Sequence, residues 1–224
     1  MSLKEQLEDY ARSLREHAPS ELQKANDVLI GHLRSSGMAD CILTAGDLMP
    51  EFELADSDGG LWSSRELLDR GPVVVSFFRG DWCPFCRLEL QALEAVLQDI
   101  EREGATLVAI TPDTGTALAA TKRNNNLRFH VLSDADHGVA VQFGVAYHIA
   151  DALREQYLKQ GLDLAARHGS TGCFLPIPAT FIVGRNGIIR HTEFDVDPAR
   201  RMEPADIIRV LRRLRTRPQT SESH

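Results

Sequence analysis

The run Val73-Val74-Val75-Ser76-Phe77-Phe78 passes through Arg79-Gly80-Asp81 directly into Trp82-Cys83-Pro84-Phe85-Cys86, and this junction limits the fold more than any other feature. A continuous β-branched and aromatic run reads as a strand buried on both faces, which requires a sheet with helices on either side. Pro84 suits the first position of a helix, where its missing N–H would be unpaired anyway, and Cys83 then takes the N-cap. Cys83 and Cys86 become neighbours on the first helical turn, at a separation that suits a disulfide without backbone strain. The helix N-terminus offers unpaired N–H groups and a positive dipole end, and both favour a thiolate.

The rest of the chain fits around that strand. Leu93, Val96, Leu97 and Ile100 share one face of a single long helix after the junction, which Gly104 ends. Leu107 to Ile110 is a second buried strand, followed by a helix from Pro112-Asp113-Thr114 to about Lys122. Val131-Leu132 predicts a short strand, and Asp136 to Phe143 a helix. Upstream, Phe52 and Leu54 alternate before the turn Asp56-Ser57-Asp58-Gly59-Gly60, which predicts a short hairpin. Downstream, strand signals at Thr180 to Val183 and Ile188 to His191 flank Arg185-Asn186-Gly187, and Asn-Gly is a strong hairpin turn. Pro204 opens a last helix with Ile207, Ile208, Leu211 and Leu214 on one face. The order predicts an α/β fold with a mixed central sheet flanked by helices.

Two further helices precede the first strand. Ser2 and Glu5 form a capping box ahead of Leu3, Leu7, Tyr10 and Leu14. After Pro19, Ser20 with Gln23 restarts a helix carrying Leu22, Leu29 and Leu33 until Gly37. The expected organisation is an N-terminal helical extension over 1–40 and one domain over 41–215. That domain carries a strand-free helical insertion at about 147–175, and 216–224 form a polar, flexible tail.

Charge and cysteine count narrow the chemistry. With 25 Lys and Arg against 32 Asp and Glu, the net charge is −7, which argues against nucleic acid or anionic lipid as a partner. Only the stretch Arg200, Arg201, Arg209, Arg212, Arg213, Arg215, Arg217 runs basic, and it reads as a solvated helix face or a docking site for a reductase. No run of 18 apolar residues predicts a membrane span, and MSLKEQLEDY is not a signal peptide. The expected location is the cytoplasm. Four cysteines are too few for a disulfide-built scaffold, and in that compartment a cysteine pair is catalytic or metal-binding. Zinc would need two more ligands, whereas Cys41 and Cys173 are isolated and His168 is the nearest partner for Cys173. His130, His137, His148 and His191 show no ligand spacing either, so neither a metal nor a cofactor is expected. Redox chemistry remains. A thiol near pKa 8.5 is roughly 3% thiolate at pH 7, and a pKa near 7 makes it about half. Lower nucleophilicity returns most of that gain and leaves about 3-fold in attack rate. The larger benefit is a dithiol that closes its own disulfide.

From Ala45 to Leu214 the chain resembles a thioredoxin-like fold of the peroxiredoxin branch, the alkyl hydroperoxide reductase / thiol-specific antioxidant family. The resemblance is carried by Gly46 to Leu54 with Asp56 and Gly59, by the strand-to-helix junction, by Leu132-Ser133-Asp134 with Gly138, Val139 and Phe143-Gly144-Val145, and by Pro178-Ala179-Thr180-Phe181-Ile182-Val183 before Asn186-Gly187. The family motif is P-x-x-x-T-x-x-C with a Glu three residues on. Laid on this chain without gaps, its peroxidatic cysteine falls on Cys86 and its Glu on Glu89. Cys83 replaces the Thr, Arg79 the Pro, and Pro178 stands where the family carries its catalytic Arg. What remains resembles thioredoxin, a W-C-x-x-C pair with a proline before the Thr-Phe strand, so the Ile177–Pro178 bond is predicted to be cis.

The resemblance implies thiol-dependent redox catalysis, by one of two routes. As a peroxidase, the chain attacks a hydroperoxide through Cys86, and Cys83 resolves the sulfenic acid to an intramolecular disulfide. Arg79 and Thr180 are then candidates for the missing donors. As a thiol-disulfide oxidoreductase with little peroxidase activity, it attacks a protein disulfide through Cys83, and Cys86 resolves. Either route draws on a thioredoxin- or glutathione-type reductant. A redox sensor whose helical interface answers to the pair is a third class, and the amphipathic N-terminal helices offer a homodimer surface. Trp82 is expected to pack over the pair, as a stacking surface or as plain core. Asp81 reads as a carboxylate beside the pair or an exposed one at the helix start. Cys173 is a second resolving thiol or a passive buried one.

Overall fold

The computed structural model, which describes residues 1–170 and 173–216, begins with α1 (Leu3–His17). The Ser2 hydroxyl accepts from the Glu5 N–H, and the Glu5 carboxylate accepts from the Ser2 N–H. Two donors without intrahelical partners are satisfied in this way. In α2 (Ser20–Ser35) Pro19, not Ser20, holds the N-cap. Gln23 instead donates to the Arg15 and Ala18 carbonyls at the end of α1. Gly37 takes φ 71° beyond α2, where a side chain would be strained.

The remaining elements in chain order are β1 (Glu53–Asp56), β2 (Leu61–Ser63), α3 (Ser64–Arg70), β3 (Val73–Phe77), α4 (Pro84–Ala95), α5 (Leu97–Arg102), β4 (Thr106–Thr111), α6 (Gly115–Asn124), β5 (His130–Ser133), α7 (Gly138–Gln142), β6 (Ala146–His148), α8 (Asp151–Lys159), α9 (Leu164–His168), β7 (Phe174–Pro176), β8 (Ala179–Val183), β9 (Ile189–Phe194) and α10 (Pro204–Thr216). The main sheet runs β2-β1-β5-β4-β3-β8-β9. Strands β5, β4 and β3 are parallel to one another, and the other pairings are antiparallel. This is the mixed sheet that the sequence predicts.

Strand β3 is buried along its whole length because two cores meet on it. Val73, Val75 and Phe77 point into one core, with Leu67, Phe143, Leu153 and Phe181. Val74 and Phe78 point into the other, with Leu3, Leu7, Leu90, Ile100 and Ile207. The period-2 alternation of a strand divides the run in this way. Leu3, Leu7 and Tyr10 of the α1 stripe are therefore spent on their own chain, while Leu14 is exposed.

Two elements depart from the sequence reading. The long helix after the junction is broken at Val96, whose N–H reaches the Leu93 and Glu94 carbonyls instead of continuing the i−4 ladder. Leu93, Leu97 and Ile100 remain buried on either side of the break. The stretch read as strand-free contains β6 and β7, which pair antiparallel as a separate small sheet. Each has three residues, too few for a periodic signal, and Pro176 further hides β7. No helix among the described residues is long and apolar enough to cross a membrane. The polar tail from residue 217 lies outside the described residues.

Candidate redox site

Beyond β3 the Phe78 N–H still donates to the Ile110 carbonyl at 3.0 Å, and then the chain turns. Gly80 has φ 133°, and a Cβ there would lie 2.5 Å from Trp82 Nε1 and 2.7 Å from Asp113 Oδ2, so only glycine fits. Trp82 Nε1 donates to the Arg79 carbonyl at 3.1 Å. The turn delivers Cys83 to the N-cap of α4 and Pro84 to its first position.

Both sulfurs are free thiols, with Cys83 1% and Cys86 0% exposed. Each faces an arginine. Arg79 Nη2 donates to Cys83 Sγ at 3.0 Å, and Arg201 Nη2 lies 3.7 Å from Cys86 Sγ. Arg201 Nε also binds Glu89 Oε2 at 2.7 Å, in an ion pair whose side chains are 2% exposed on both sides. Two buried guanidiniums thus bracket the dithiol.

Burial disfavours a thiolate at either sulfur. At Cys83 the hydrogen bond from Cys86 and the charges of Arg79 and Arg201 overcome it, and the thiol is held well below its ordinary range. Burial and the charge on Cys83 push Cys86 well above its own. These opposed directions favour Cys83 over Cys86 as the seat of negative charge in the reduced pair. Burial also pushes Glu89 up, against the pull of Arg201.

Arg79 and Glu89 are both buried, one at the pair and one at its second arginine. Thr180 is buried in β8 opposite Ser76. Trp82 is half-buried and meets Tyr157 edge-on, with ring centroids 5.4 Å apart. Asp81 neither faces the sulfurs nor stands in solvent; it pairs with Arg167 Nη2 at 2.8 Å. Cys173 packs in the core that does not hold the pair, and Cys41 is exposed.

Two expectations are corrected. The described chain contains no cis peptide bond, so Ile177–Pro178 is trans. The Ile177 N–H donates to the Val145 carbonyl at 2.7 Å, which keeps the chain extended from β7 into β8. A trans bond carries that path, and it is the form X–Pro favours by about 0.5–1 kcal/mol. Arg201 is not part of a solvated face. A glutamate on the buried side of a helix three residues after a cysteine needs a cation, and that requirement was the signal available for finding it. Tyr147 and Tyr157, whose phenols are raised by burial and drawn down by Arg79, also gave no sequence signal.

A second buried cluster lies behind the active-site turn. Arg167 joins Asp113, at 2.6 Å and 3.0 Å, to Asp81. His168 Nε2 lies 3.8 Å from Asp113, and the His137 and His168 rings stand 5.7 Å apart. Burial, with His137 and Arg167 adding, pushes His168 down to about 4. A histidine depressed in the fold contributes stability that is present above its unfolded value near 6.5 and lost as pH falls toward 4. Urea denaturation should show His168→Gln losing less stability than the parent between pH 6.5 and 4, by about 3 kcal/mol. Parallel profiles would reject the assignment.

Residues 45–192 match the AhpC/TSA family. A Helicobacter pylori protein named as a peroxiredoxin, bcp, is 28% identical over 154 residues, covering 69% of this chain and 90% of that one. Peroxiredoxin Bcp of Escherichia coli is 31% identical over 103 residues, covering 46% and 65%. Among solved structures, peroxidoxin BcpB of Mycobacterium tuberculosis superposes with TM-score 0.59 at 23% identity, covering 76% and 97%. AhpC of Mycobacterium bovis gives TM-score 0.60 at 20% identity, covering 82% and 99%. These two superpositions speak for the fold.

Proposed function

The chain belongs to the AhpC/TSA family, and on that premise we propose that it is a dithiol peroxidase that reduces hydroperoxides with Cys83 and Cys86. The observation that carries this reading is the pair of buried guanidiniums around the two sulfurs. Peroxide reduction builds negative charge on a departing oxygen, and fixed cations in a dry site stabilise that charge far better than water does. A protein disulfide needs an exposed sulfur, whereas these are covered.

In the family register Cys86 is the attacking sulfur. The Cys86 thiol passes its proton to the Cys83 thiolate as its sulfur bonds to the terminal peroxide oxygen and the O–O bond breaks. Cys83 returns that proton to the leaving alkoxide, which departs as an alcohol. The Cys83 thiolate then attacks the sulfenic acid on Cys86, forming the disulfide and expelling hydroxide. Overall the peroxide gains two electrons and the dithiol loses two.

A second order of events is favoured by one observation: the charge rests on Cys83, beside Arg79. Here Cys83 attacks, Cys86 donates its proton to the alkoxide and then resolves, with the same overall balance. Arg79 Nε, buried without a protein acceptor, would hold a peroxide oxygen next to that sulfur. Electrons return from a thioredoxin- or glutathione-type thiol in the cytoplasm. A homodimer would use the outer face of α2, where Val28 is exposed.

Stopped-flow Trp fluorescence of the reduced protein mixed with hydrogen peroxide tests the function. The expected result is oxidation far faster than for free cysteine, with one Cys83–Cys86 disulfide formed per peroxide consumed. A rate no higher than that of a free thiolate overturns the peroxidase reading and leaves disulfide exchange through Cys83.

A further inference from the structure

Side chains that the peroxidase chemistry does not use stand around the Trp82 and Arg79 end of the active-site turn. Tyr157, on α8, meets Trp82 of the active-site turn, and its hydroxyl donates to Asn26 on α2 at 3.4 Å. Tyr147 and Tyr157 both face Arg79 electrostatically, and the Arg79 guanidinium lies 5.3 Å from the Trp82 ring. Arg79, whose Nε is buried without a protein acceptor, therefore has Trp82 beside its guanidinium and Tyr157 packed behind that ring. On the other side of the pair the Arg201 side chain is itself buried.

The segment that carries Tyr157 is fastened at its far end. Arg167, on α9, reaches Asp81 of the active-site turn and Asp113 beyond β4. Thr114 N–H and Oγ1 both donate to the Arg167 carbonyl, at 3.0 Å and 3.1 Å. The segment from α8 to α9 is thus held against the turn by an aromatic contact at one point and a buried ion cluster at another.

We propose that α8 and α9 form a size filter over the dithiol, which admits hydrogen peroxide and excludes bulky organic hydroperoxides. Tyr157 is the specificity-determining residue, and Arg167 positions the segment that carries it. The substrate assignment rests on the peroxidase reading. With its terminal oxygen at Arg79 Nε, a hydroperoxide extends its organic group toward the aromatic side chains beside that guanidinium, Trp82 and behind it Tyr157. Displacing that ring breaks the contacts with Trp82 and Asn26, and a bulky group carries this penalty where hydrogen peroxide does not.

The test uses the reduced full chain with Cys41→Ser, which removes the exposed thiol. Oxidation rates are measured with hydrogen peroxide and with cumene hydroperoxide. Alkylation rates are measured with iodoacetamide and with a pyrenyl maleimide, read on the peptide carrying Cys83 and Cys86. The protein is expected to favour the small reagent of each pair. Tyr157→Ala and Arg167→Gln are each expected to raise the bulky-to-small ratio about tenfold in both pairs, the scale on which pockets discriminate small differences in size. Tyr157→Phe, which keeps the ring, is expected to hold the parent ratio. Arg167→Gln leaves Asp113 as a buried charge without its cation, so the double variant Arg167→Gln with Asp113→Asn, which removes both partners, carries the test if either single variant does not fold. Ratios that stay flat in the folded variants overturn the filter. If the parent reacts slowly with both peroxides while the alkylation ratio still rises, the filter stands and the peroxidase reading fails.

Discussion

Cys86→Ser lowers the rate of reaction with hydrogen peroxide by about 10³-fold or more, the scale on which loss of a catalytic nucleophile is felt. Cys83→Ser stays within about tenfold of the parent, but its reaction stops at a sulfenic acid that dimedone traps on Cys86. The asymmetry follows from the charges. In Cys83→Ser the anion that pushes Cys86 up is gone, while Arg201 and the end of α4 remain. Cys86 then ionises on its own account. In Cys86→Ser, Cys83 loses its thiol donor and its resolving partner together. Stopped-flow kinetics with mass spectrometry of the trapped adduct check both halves. The reverse pattern, with the adduct on Cys83, establishes the order in which Cys83 attacks first.

Arg201→Met destabilises the protein by about 3–5 kcal/mol at pH 7, because Glu89 is left as a buried charge without its cation. For a chain of this size that lowers Tm by roughly 10 °C. The pH dependence has a definite sign. Glu89 is already raised by burial, and losing Arg201 raises it further. A carboxyl raised in the fold contributes stability that is present below its unfolded value, near 4.5, and lost as pH rises through its folded value. The deficit of Arg201→Met is therefore largest near neutrality and shrinks toward pH 4.5. Glu89→Leu combined with Arg201→Met recovers most of the stability, since an apolar pair of similar volume replaces the ions. It does not recover peroxide reactivity, because Cys86 has lost its guanidinium. Chemical denaturation across this pH range, run beside peroxide kinetics on both variants, separates the two roles. A single variant within about 1 kcal/mol of the parent at pH 7 rejects a buried, charged Glu89.

What the sequence showed was local. The capping box at Ser2, the hairpin turn at Asn186-Gly187 and the N-cap position of Cys83 each depend on residues a few places apart, and each stands where it was expected. The hidden features depend on distant partners. Arg201 lies 112 positions from Glu89, and nothing near it marks one arginine of a basic stretch as buried. Strands β6 and β7 exist only as a pair, with Tyr147 opposite Leu175. The Ile177–Pro178 bond follows the path that this pairing imposes rather than the thioredoxin-like pattern around it. The break at Val96 also carries no glycine or proline to announce it.

Phe85 stands between the two cysteines, yet its ring packs edge-on against Tyr10 of α1, with centroids 5.2 Å apart. The same helix is tied to the far side of the site, where the Lys4 N–H donates to Glu203 at 2.6 Å. The dipeptide between paired cysteines helps set their reduction potential, so position 85 serves two constraints in this chain. A substitution there that retunes the potential also loosens the N-terminal helix. The unit on which selection acts is the dipeptide with its tyrosine, and chains of this kind should exchange positions 10 and 85 together rather than one at a time.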